Sequence, residues 1–409
     1  MAPCCRFCNA SLSQSFANLG MTPLANSYVA DDMINSMERF YPLHAYVCEK
    51  CFLVQLDEFE TPEGIFGDYA YFSSFSDSWL AHAAKYVEDV STRFALDSKS
   101  LVVEIASNDG YLLQYMQERG VPVLGIEPAR NVAKVAIEKG IPTKSLFFGK
   151  STGQQLKQEG IRADLMIGNN VLAHVPNLND FVAGFPYVLK DEGVLTMEFP
   201  HLLALIDGCL FDTIYHEHFS YFSLHTVREV FAAHGLTIFD VEEVPTHGGS
   251  LRIFACKKGT ARCGVSPQVL SVLEKETQAG LRSLDVYKQF ANAVIEAKCN
   301  FLDFLIKCRR DKCSVAGYGA PAKGNTLLNY CGVGPELIEF TVDRNPLKQN
   351  TLLPGTRIPV RNVEAIQERK PNFVVILPWN LKDEIAQQLA FIREWGGRFV
   401  VPLPTVEIF

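Results

Sequence analysis

A strand, a tight loop and a helix around residues 101–110 constrain the fold of this chain more than any other stretch. An apolar, β-branched run at 102–105 ends in small and turn-forming residues, and a helical pattern then continues to Gly120. This order is typical of a buried parallel strand that leads into a helix. A second strand-like run at 121–126 ends in Glu127. We therefore predict an α/β domain with a mainly parallel sheet.

The loop of this unit predicts a nucleoside-cofactor site. Its backbone N–H groups and the helix N-terminus can hold an anionic group, and Glu127 can accept both hydroxyls of a ribose. Ala106 and Asn108 occupy positions where the dinucleotide fingerprint G-x-G-x-x-G needs glycine. Glu104 would repel a diphosphate but would attract an ammonium group, such as that of S-adenosylmethionine. The alternative is a buried β-loop-α unit whose loop binds nothing.

Strand and helix patterns continue to alternate after this loop. A short strand at 164–168 ends in two asparagines, and a further strand is predicted at 193–199. Parallel sheets bind ligands at the carboxyl ends of their strands. A tyrosine- and serine-rich stretch also precedes a predicted helix that Asp77 can cap. The candidate cofactor-binding residues are Glu104, Ser107, Asn108, Asp109, Gly110, Tyr111, Leu112, Glu127, Pro128, Asn169, Asn170, Ser73 and Ser76.

Two C-x-x-C pairs near the N-terminus predict a metal site. Cys5 and Cys8 form one pair, and Cys48 and Cys51 form the other. Two such knuckles give a closed tetrahedral set of thiolates for Zn²⁺, with no open position, so that its role is structural. Cys4 leaves open which of two neighbours is the ligand, and four ordinary free cysteines are the alternative. A nucleic-acid zinc ribbon is disfavoured because the segment is not rich in Lys and Arg.

Composition limits the partners of the chain. Its 409 residues predict two or three domains, and a net charge of −8 argues against bulk binding to nucleic acid or anionic membranes. The sequence has no secretory signal and no apolar run of membrane-spanning length. Twelve cysteines without such a signal point to a reducing cytoplasm. We expect a cytoplasmic monomer without nucleic-acid or membrane partners.

The run Tyr215-His216-Glu217-His218 concentrates proton-handling side chains, whose burial is costly unless each is paired. We favour acid–base work over a metal site, because no third metal ligand is evident and histidine titrates near neutral pH. In an extended segment the two histidines would point to the same face, so spacing alone does not choose between them. A polar surface hairpin is the alternative. His174, near the end of the strand at 164–168, is a further candidate, although a lone histidine at such a place is more often structural than catalytic.

Two glycine-containing segments supply candidates for the substrate side. The first is a turn that carries an imidazole and a cation and leads into an edge-like strand at 251–256. The second opens another α/β unit at 314–325, where small residues let a backbone approach and Lys323 can supply charge to a phosphate. A helical region at 267–309, possibly two helices, precedes this unit. The candidates are His247, Gly249, Arg252, Gly317, Tyr318, Gly319, Ala320 and Lys323.

In combination, the chain resembles a known family. The paired C-x-x-C, E-I-A-S-N-D-G, Y-H-E-H-F, H-G-G-S-L-R and G-Y-G-A-P-A-K motifs resemble, in this order, the S-adenosylmethionine-dependent sugar C-methyltransferases of the tetronitrose C3′-methyltransferase type. The resemblance covers essentially the whole chain. Ala106 departs from the broader methyltransferase pattern, which prefers glycine there.

This resemblance implies three domains and a substrate. They are a zinc-binding module at 1–68, a class I (Rossmann-like) methyltransferase domain at 69–260 and a C-terminal Rossmann-like domain at 261–409 that binds a nucleotide sugar. The implied reaction methylates a ring carbon beside the keto group of a nucleotide-linked 4-keto-deoxysugar. The matching active-site positions are Tyr71, His174, Tyr215, Glu217 and His218, and residues 317–323 match the loop toward the nucleotide.

Carbon methylation agrees with these residue types, because a proton must first leave the carbon alpha to the carbonyl. A neutral His218, oriented by Glu217 or a neighbour, is the predicted base, since the family's Tyr-x-Glu-His pattern includes it and leaves His216 open. Tyr215 and His174 are candidate donors to the enolate oxygen.

Three other functions remain open at this point. Within the family, the methylated carbon could be another one, such as C5. Outside it, the glycines of the C-terminal loop could serve a nicotinamide-dependent oxidoreductase. The chain could also be a zinc-ribbon binding protein with a degenerate methyltransferase fold, which would not bind S-adenosylhomocysteine.

Overall fold

The structure is a computed structural model that describes residues 3–61, 64, 72–262 and 264–409. The described residues form three β-sheets, which follow one another along the chain but exchange elements. None of the helices in these ranges is long and apolar enough to cross a membrane.

The N-terminal sheet is antiparallel and carries the paired cysteines at one end. Residues on its strand at Tyr41–Val47 alternate between partly exposed and buried, as expected for a sheet with one face on a core. Its last strand comes from the central part of the chain. In spatial order, the strands described are Gln14–Thr22, Tyr41–Val47, Val54–Leu56 and Ser220–Tyr221.

The central sheet is mainly parallel, which confirms the predicted fold class. Its described strands lie in the order Leu236–Val244, Ser250–Lys257, Leu189–Pro200, Ala163–Asn169, Val102–Ile105, Val123–Ile126 and Thr143–Lys144. Helices flank it at Asp77–Arg93, Leu113–Glu118, Arg130–Glu138, Lys150–Gln158, Leu178–Val188, Leu202–Asp207 and Leu224–Ala233.

One prediction for this sheet is wrong. The strand expected at an edge, Ser250–Lys257, lies inside the sheet, where it pairs antiparallel with Leu189–Pro200 on one side and Leu236–Val244 on the other. All of its residues except Lys257 are buried. A glycine turn before a strand does not reveal how many neighbours that strand will have, because pairing is a long-range property.

The C-terminal sheet has a parallel centre, as predicted for a second α/β unit. Its described strands lie in the order Glu407–Ile408, Arg398–Val401, Phe373–Ile376, Val315–Tyr318, Thr341–Val342, Pro359–Arg361, Thr351–Leu352 and Val29–Ala30. The associated helices are Ala322–Cys331, Glu364–Arg369 and Lys382–Gln388, with 3-10 turns at Ala390–Trp395.

Long-range contacts join the three sheets into one body. The helical region before the last sheet consists of Pro267–Gln278, which packs into the core of the central sheet, and Leu284–Arg310. On the latter helix, Phe290 stacks on Phe16 of the N-terminal sheet with ring centroids 4.4 Å apart.

Candidate active site

The four predicted zinc ligands lie together in the N-terminal module. The Sγ atoms of Cys5, Cys8, Cys48 and Cys51 all lie within 4.8 Å of one another. Four sulfurs that each lie about 2.3 Å from one tetrahedral ion are roughly 3.8 Å apart, so the set fits Zn²⁺. Cys4 is exposed and stands outside the set, which resolves the choice between the neighbours in favour of Cys5.

Both knuckles have the same backbone geometry. Asn9 donates its N–H to the carbonyl of Cys5, and Phe52 donates to that of Cys48, at 2.9 Å in each case. Both donors adopt positive φ, 58° and 56°, which turns the chain back over the thiols. The Gln55 amide donates to Cys5 Sγ at 3.2 Å, as expected for a sulfur that carries negative charge. The site is closed by protein and suits a structural metal.

Glu104 is the clearest ligand-binding feature of the central sheet. Its side chain is 1% exposed, and neither carboxylate oxygen has a hydrogen-bond partner among the described residues. Burial, with added repulsion from Glu127 and Asp109, raises the pKa of Glu104 well above its ordinary value. Buried carboxylates without partners are costly, so the position fits a cationic ligand group such as the ammonium of S-adenosylmethionine.

The loop after Glu104 uses left-handed backbone conformations. Ala106 and Asn108 have φ of 55° and 50°, and Gly110 has φ of 78°. A β-carbon at Gly110 would lie 2.2 Å from Ile141 Cδ1, so only glycine fits there. At Ala106 this left-handed conformation costs about 1–2 kcal/mol relative to glycine, because of the β-carbon.

Glu127 ties the loop to the end of the second strand. One of its carboxylate oxygens accepts the N–H of Asn108 at 2.9 Å, and the other accepts that of Ala129 at 2.8 Å. Burial raises the pKa of Glu127, and these two donors oppose the shift. Pro128, between them, is partly buried. Each oxygen keeps a second lone pair, so the carboxylate can still receive two ribose hydroxyls.

We expect Glu127→Ala to weaken the binding of S-adenosylhomocysteine by about 30- to 100-fold, because a bidentate charge-assisted pair is worth roughly 2–3 kcal/mol. Calorimetric titration of the purified variant measures this. Glu159→Ala is the matched control, since this exposed acid pairs with Lys144 and Gln155 at the surface. Unchanged affinity in Glu127→Ala would remove the residue from the site.

The remaining cofactor candidates fall into two groups. Asn169 and Asn170 lie at the carboxyl end of their strand, next to that of Glu104, and the Oδ1 atom of each has no partner among the described residues. Ser107 Oγ is likewise buried without a described partner. In contrast, Tyr111 and Leu112 bury their side chains in the core, and Asp109 forms an ion pair of 3.2 Å with Lys139.

The predicted serine and tyrosine cluster has a mixed outcome. Ser73 donates its backbone N–H to Asn108 Oδ1 at 2.9 Å and so borders the loop. Ser76 Oγ accepts the N–H of Trp79 and is therefore the helix cap that we expected Asp77 to be. Tyr71 lies outside the described residues.

His218 and Tyr215 form a hydrogen-bonded pair. His218 Nδ1 lies 2.8 Å from the Thr213 carbonyl, which can only accept, so the proton is on Nδ1. The neutral ring then presents an unprotonated Nε2, which accepts the hydroxyl of Tyr215 at 2.8 Å. The His174 ring packs edge-on against that of His218, with centroids 4.7 Å apart. Thr213, rather than Glu217, therefore orients His218.

These histidines are held neutral. Burial lowers the pKa of His174 to about 4. Burial lowers the pKa of His218 well below its ordinary value, and the positive charge of Lys323 adds to this shift while the Thr213 carbonyl opposes it. The side chains of His174 and His218 are surrounded by protein but remain partly accessible to solvent, as in a deep cleft. An unprotonated imidazole in such a cleft can take a proton from a bound ligand.

A turn separates His216 and Glu217 from this pair, which corrects the expectation of an extended segment. The N–H of His218 donates to the Tyr215 carbonyl at 2.8 Å. His216 Nε2 instead donates to the Pro42 carbonyl of the N-terminal module. Glu217 accepts the Asn26 amide at 2.6 Å, and burial raises its pKa to about 7 while Asn26 and Lys348 lower it.

The predicted glycine turn lies across the cleft from the cofactor loop. The ring centroid of His247 is 5.5 Å from that of Trp79, and Asn170 Nδ2 lies 3.3 Å from His247 Nε2. A β-carbon at Gly248 would lie 2.6 Å from the Trp379 ring, so the C-terminal domain closes this side. Gly249 has φ of 121° and abuts Ala204.

Arg252 takes part in a buried network that the sequence did not reveal. Its guanidinium donates to Glu198 at 2.7 Å and to Glu242 at 3.1 Å. His82 and the Thr246 hydroxyl also bind Glu198. Burial would raise the pKa of Glu198, but His82 and Arg252 lower it to about 2. The sequence signal that could have indicated a buried partner for Glu198 is its position as an acid within an apolar strand.

The glycines of the C-terminal loop are used in packing against protein. A β-carbon at Gly317 would lie 2.7 Å from Thr341 Oγ1, and one at Gly319 would lie 2.5 Å from Pro378. Ala320 donates its N–H to Asp343 at 2.7 Å. Tyr318 turns toward the far side of the sheet, where it lines a cavity of about 490 Å³. Lys323, which follows this loop, contacts Asn380 and the ring of Trp379.

Comparisons with known proteins agree with this arrangement. Residues 5–66 match a family described as a zinc binding domain, residues 79–241 a methyltransferase domain, and residues 245–404 a C-methyltransferase C-terminal domain. C-methyltransferase NovU of Streptomyces niveus is 35% identical over 400 residues, which cover 98% of this chain and 95% of that protein.

Two further similarities are confined to part of the chain. A ubiquinone biosynthesis O-methyltransferase of Bartonella tribocorum is 24% identical over 137 residues, or 32% of this chain and 54% of that protein. The structure of magnesium protoporphyrin IX methyltransferase from Synechocystis with bound SAM shares 16% identity over 48% of this chain and 89% of that one, with a TM-score of 0.34.

Proposed function

Because this chain belongs to the S-adenosylmethionine-dependent C-methyltransferases with an N-terminal zinc-binding domain, we propose that its substrate is a nucleotide-linked 4-keto-deoxysugar. The methyl group would be added to the ring carbon alpha to the keto group, at C3. A C5-methyltransferase of the same family is the alternative. The relative NovU is a C-methyltransferase by name, and the nature of the substrate rests on the chemistry of the cleft.

The observation that carries this proposal is the protonation state of His218. A carbon nucleophile requires removal of a proton from carbon, and an unprotonated imidazole suits this task. The Thr213 carbonyl fixes the Nδ1–H tautomer and leaves Nε2 as the acceptor. Proton transfer to Nε2 would then give an imidazolium whose Nδ1–H is already bound. Tyr215 and His174 border the same ring and are candidates to contact the keto oxygen.

The cofactor would lie along the loop that follows Glu104. When bound, S-adenosylmethionine supplies an electrophilic methyl group on a sulfonium. Glu104 would hold the ammonium, and Glu127 would hold the ribose hydroxyls. The buried oxygens of Ser107 and Asn169, which have no described partner, support a ligand at this place. Asn170 follows the strand next to that of Glu104 and contacts His247.

The C-terminal domain would hold the nucleotide part of the substrate. A nicotinamide dinucleotide there is less favoured, because the space beside Gly317 and Gly319 is already filled by Thr341 and Pro378. We propose that the three domains span residues 1–68, 69–260 and 261–409. The strand Val29–Ala30 of the first domain joins the C-terminal sheet, and Ser220–Tyr221 of the second joins the N-terminal sheet. A cytoplasmic location and a monomeric state also stay proposals.

Incubation with S-adenosylmethionine and thymidine-diphosphate-linked 4-keto sugars tests the function. We expect the sugar to gain one methyl group by mass spectrometry, with the new carbon–carbon bond at C3 by NMR. The matched control is the same sugar reduced to the 4-hydroxyl form, which has no acidic α-proton and should not react. If the protein binds S-adenosylhomocysteine but methylates no 4-keto nucleotide sugar, the proposed substrate class is wrong.

A further inference from the structure

Lys323 of the C-terminal domain lies beside the segment that carries the base. It is in the first turn of the helix Ala322–Cys331, and Thr326 of the same helix donates to the Ile214 carbonyl at 3.1 Å. Lys323 Nζ donates to Asn380 Oδ1 at 2.7 Å and lies 4.3 Å from the centroid of the Trp379 ring. The side chain is partly buried, with its charged end held between these two groups.

The charge of Lys323 is not neutralised by a direct ion pair in the described part of the chain. The nearest acid that affects it is Asp212, a fully buried residue whose Oδ2 accepts Trp379 Nε1 at 2.7 Å. Asp212 Oδ1 has no described partner. Burial raises the pKa of Asp212 to about 6, although Lys323 and the hydrogen bond from Trp379 lower it.

The groups that hold this cation also contact the segments around the base. The Trp379 ring that Lys323 covers also closes over Gly248, next to His247, and Asp212 directly precedes Thr213, whose carbonyl orients His218. The charge of Lys323 contributes to the lowered pKa values of both His218 and His247. Thr326, one turn further along the helix of Lys323, is bound to the Ile214 carbonyl, so the start of this helix lies against the segment that carries His218.

The other candidate donors are less suited to a developing negative charge. The Tyr215 hydroxyl already donates to His218 Nε2, and it carries no charge. His174 is neutral, because burial holds its pKa at about 4. An enolate carries a full negative charge on oxygen, and a pre-positioned cation in a cleft stabilises such a charge more than a neutral donor does.

We propose that Lys323 is a catalytic residue whose ammonium group stabilises the enolate oxygen of the keto substrate. This inference rests on the proposed function. The Tyr215 hydroxyl gives up its hydrogen bond to His218 Nε2 when the substrate binds, and Nε2 takes the proton from the ring carbon. The electron pair of that C–H bond forms the carbon–carbon double bond, the carbonyl π pair moves to oxygen, and the oxyanion accepts a hydrogen bond from Lys323 Nζ. The pair of the carbon–carbon double bond would then form the bond to the methyl carbon while the pair of the broken S–C bond stays on sulfur. The pair on oxygen re-forms the carbonyl, and His218 releases its proton to solvent.

A role in binding the diphosphate is the competing assignment for the same ammonium. The two roles affect different kinetic constants. A contact to the diphosphate stabilises substrate and transition state equally, so its loss raises KM. A contact to the enolate oxygen stabilises only the transition state, so its loss lowers kcat. The exchange of the α-proton with deuterated water isolates the enolate step. In the presence of S-adenosylhomocysteine no methyl group can be transferred, so exchange is read without turnover.

The experiment compares Lys323→Met, Lys323→Arg and wild type for α-proton exchange by NMR, and for the affinity of thymidine diphosphate by calorimetry. We expect Lys323→Met to slow exchange by about 100-fold or more, as for loss of an oxyanion donor, with nucleotide affinity within about 3-fold of wild type. Lys323→Arg should restore part of the rate. Lys382→Met, which removes the lysine at the start of the helix Lys382–Gln388 that pairs with Glu407, should exchange as wild type does.

Two results would overturn the inference in distinguishable ways. Wild-type exchange that persists in Lys323→Met, together with weakened thymidine diphosphate binding, assigns the lysine to the phosphate and leaves the proposed function standing. Absence of exchange in the wild type, in a protein that binds S-adenosylhomocysteine, removes the proposed function and this inference with it.

Discussion

Replacing His218 with asparagine should cut turnover by about 100-fold or more, the usual contribution of a general base, while S-adenosylhomocysteine affinity stays near the wild-type value. The physical reason is that Nε2 is the unprotonated atom of a ring fixed by the Thr213 carbonyl, and asparagine offers no comparable base. Exchange of the substrate α-proton in deuterated water, with S-adenosylhomocysteine bound, measures the step directly. Wild type should lose this proton to solvent, and the variant should not.

His216→Asn is the matched control, because this neighbouring histidine donates to Pro42 of the N-terminal module and does not contact His218. We expect its turnover to stay within about 10-fold of wild type, below the loss that removal of a general base causes. If His218→Asn exchanges the α-proton at the wild-type rate, the base lies elsewhere and Tyr215 is the next candidate.

The same histidine makes a prediction for the acidic side of the pH profile. A histidine with an ordinary pKa of about 6.5 loses roughly 4-fold of its neutral form between about pH 7.5 and pH 6. Because burial lowers the pKa of His218 and the positive charge of Lys323 adds to this shift, His218 stays unprotonated over this interval. The exchange rate should therefore change by less than that factor.

Local sequence signals sufficed to predict the centre of each α/β unit but not how the units combine. Strand, loop and helix follow one another around Val102–Ile105 as the pattern indicates, because neighbours in sequence determine these elements. In contrast, Val29–Ala30 joins the C-terminal sheet and Ser220–Tyr221 joins the N-terminal one. Two-residue strands carry no periodicity, so only tertiary contacts select their partners.

The site shows the same division between local and long-range information. The cysteine pairs and the acids that end the first two strands were predictable from spacing and strand position. The separation of His216 from His218 was not, because it depends on a turn within four residues. Nor was the contact of Glu198 with His82, which lie 116 positions apart. Lys323 was found as a cation, but its nearness to the base follows only from the domain arrangement.

Loss of the zinc site should have the largest effect on stability. We expect Cys48→Ser to contain well below one equivalent of zinc per chain and to unfold at least about 10 °C lower than wild type. Structural zinc sites contribute apparent free energies of about 10–16 kcal/mol in small domains, so losing even part of that is a large change. The effect should reach beyond the module, because Thr226 of the central domain donates to the Cys51 carbonyl and Asn26 holds Glu217.

Cys4→Ser is the control that separates loss of a ligand from loss of any thiol, since this neighbouring cysteine is exposed and lies outside the cluster of four sulfurs. It should keep one equivalent of zinc by elemental analysis and the wild-type melting temperature. Wild type stripped with a chelator should melt like Cys48→Ser and recover on addition of Zn²⁺. A metal-free protein that is as stable and as active as the metal-loaded one would show that the four thiols are not a structural zinc site. The four thiols leave no open coordination position on the metal, so the metal cannot take part in the reaction directly. Any activity that Cys48→Ser loses should therefore follow from its loss of folded protein.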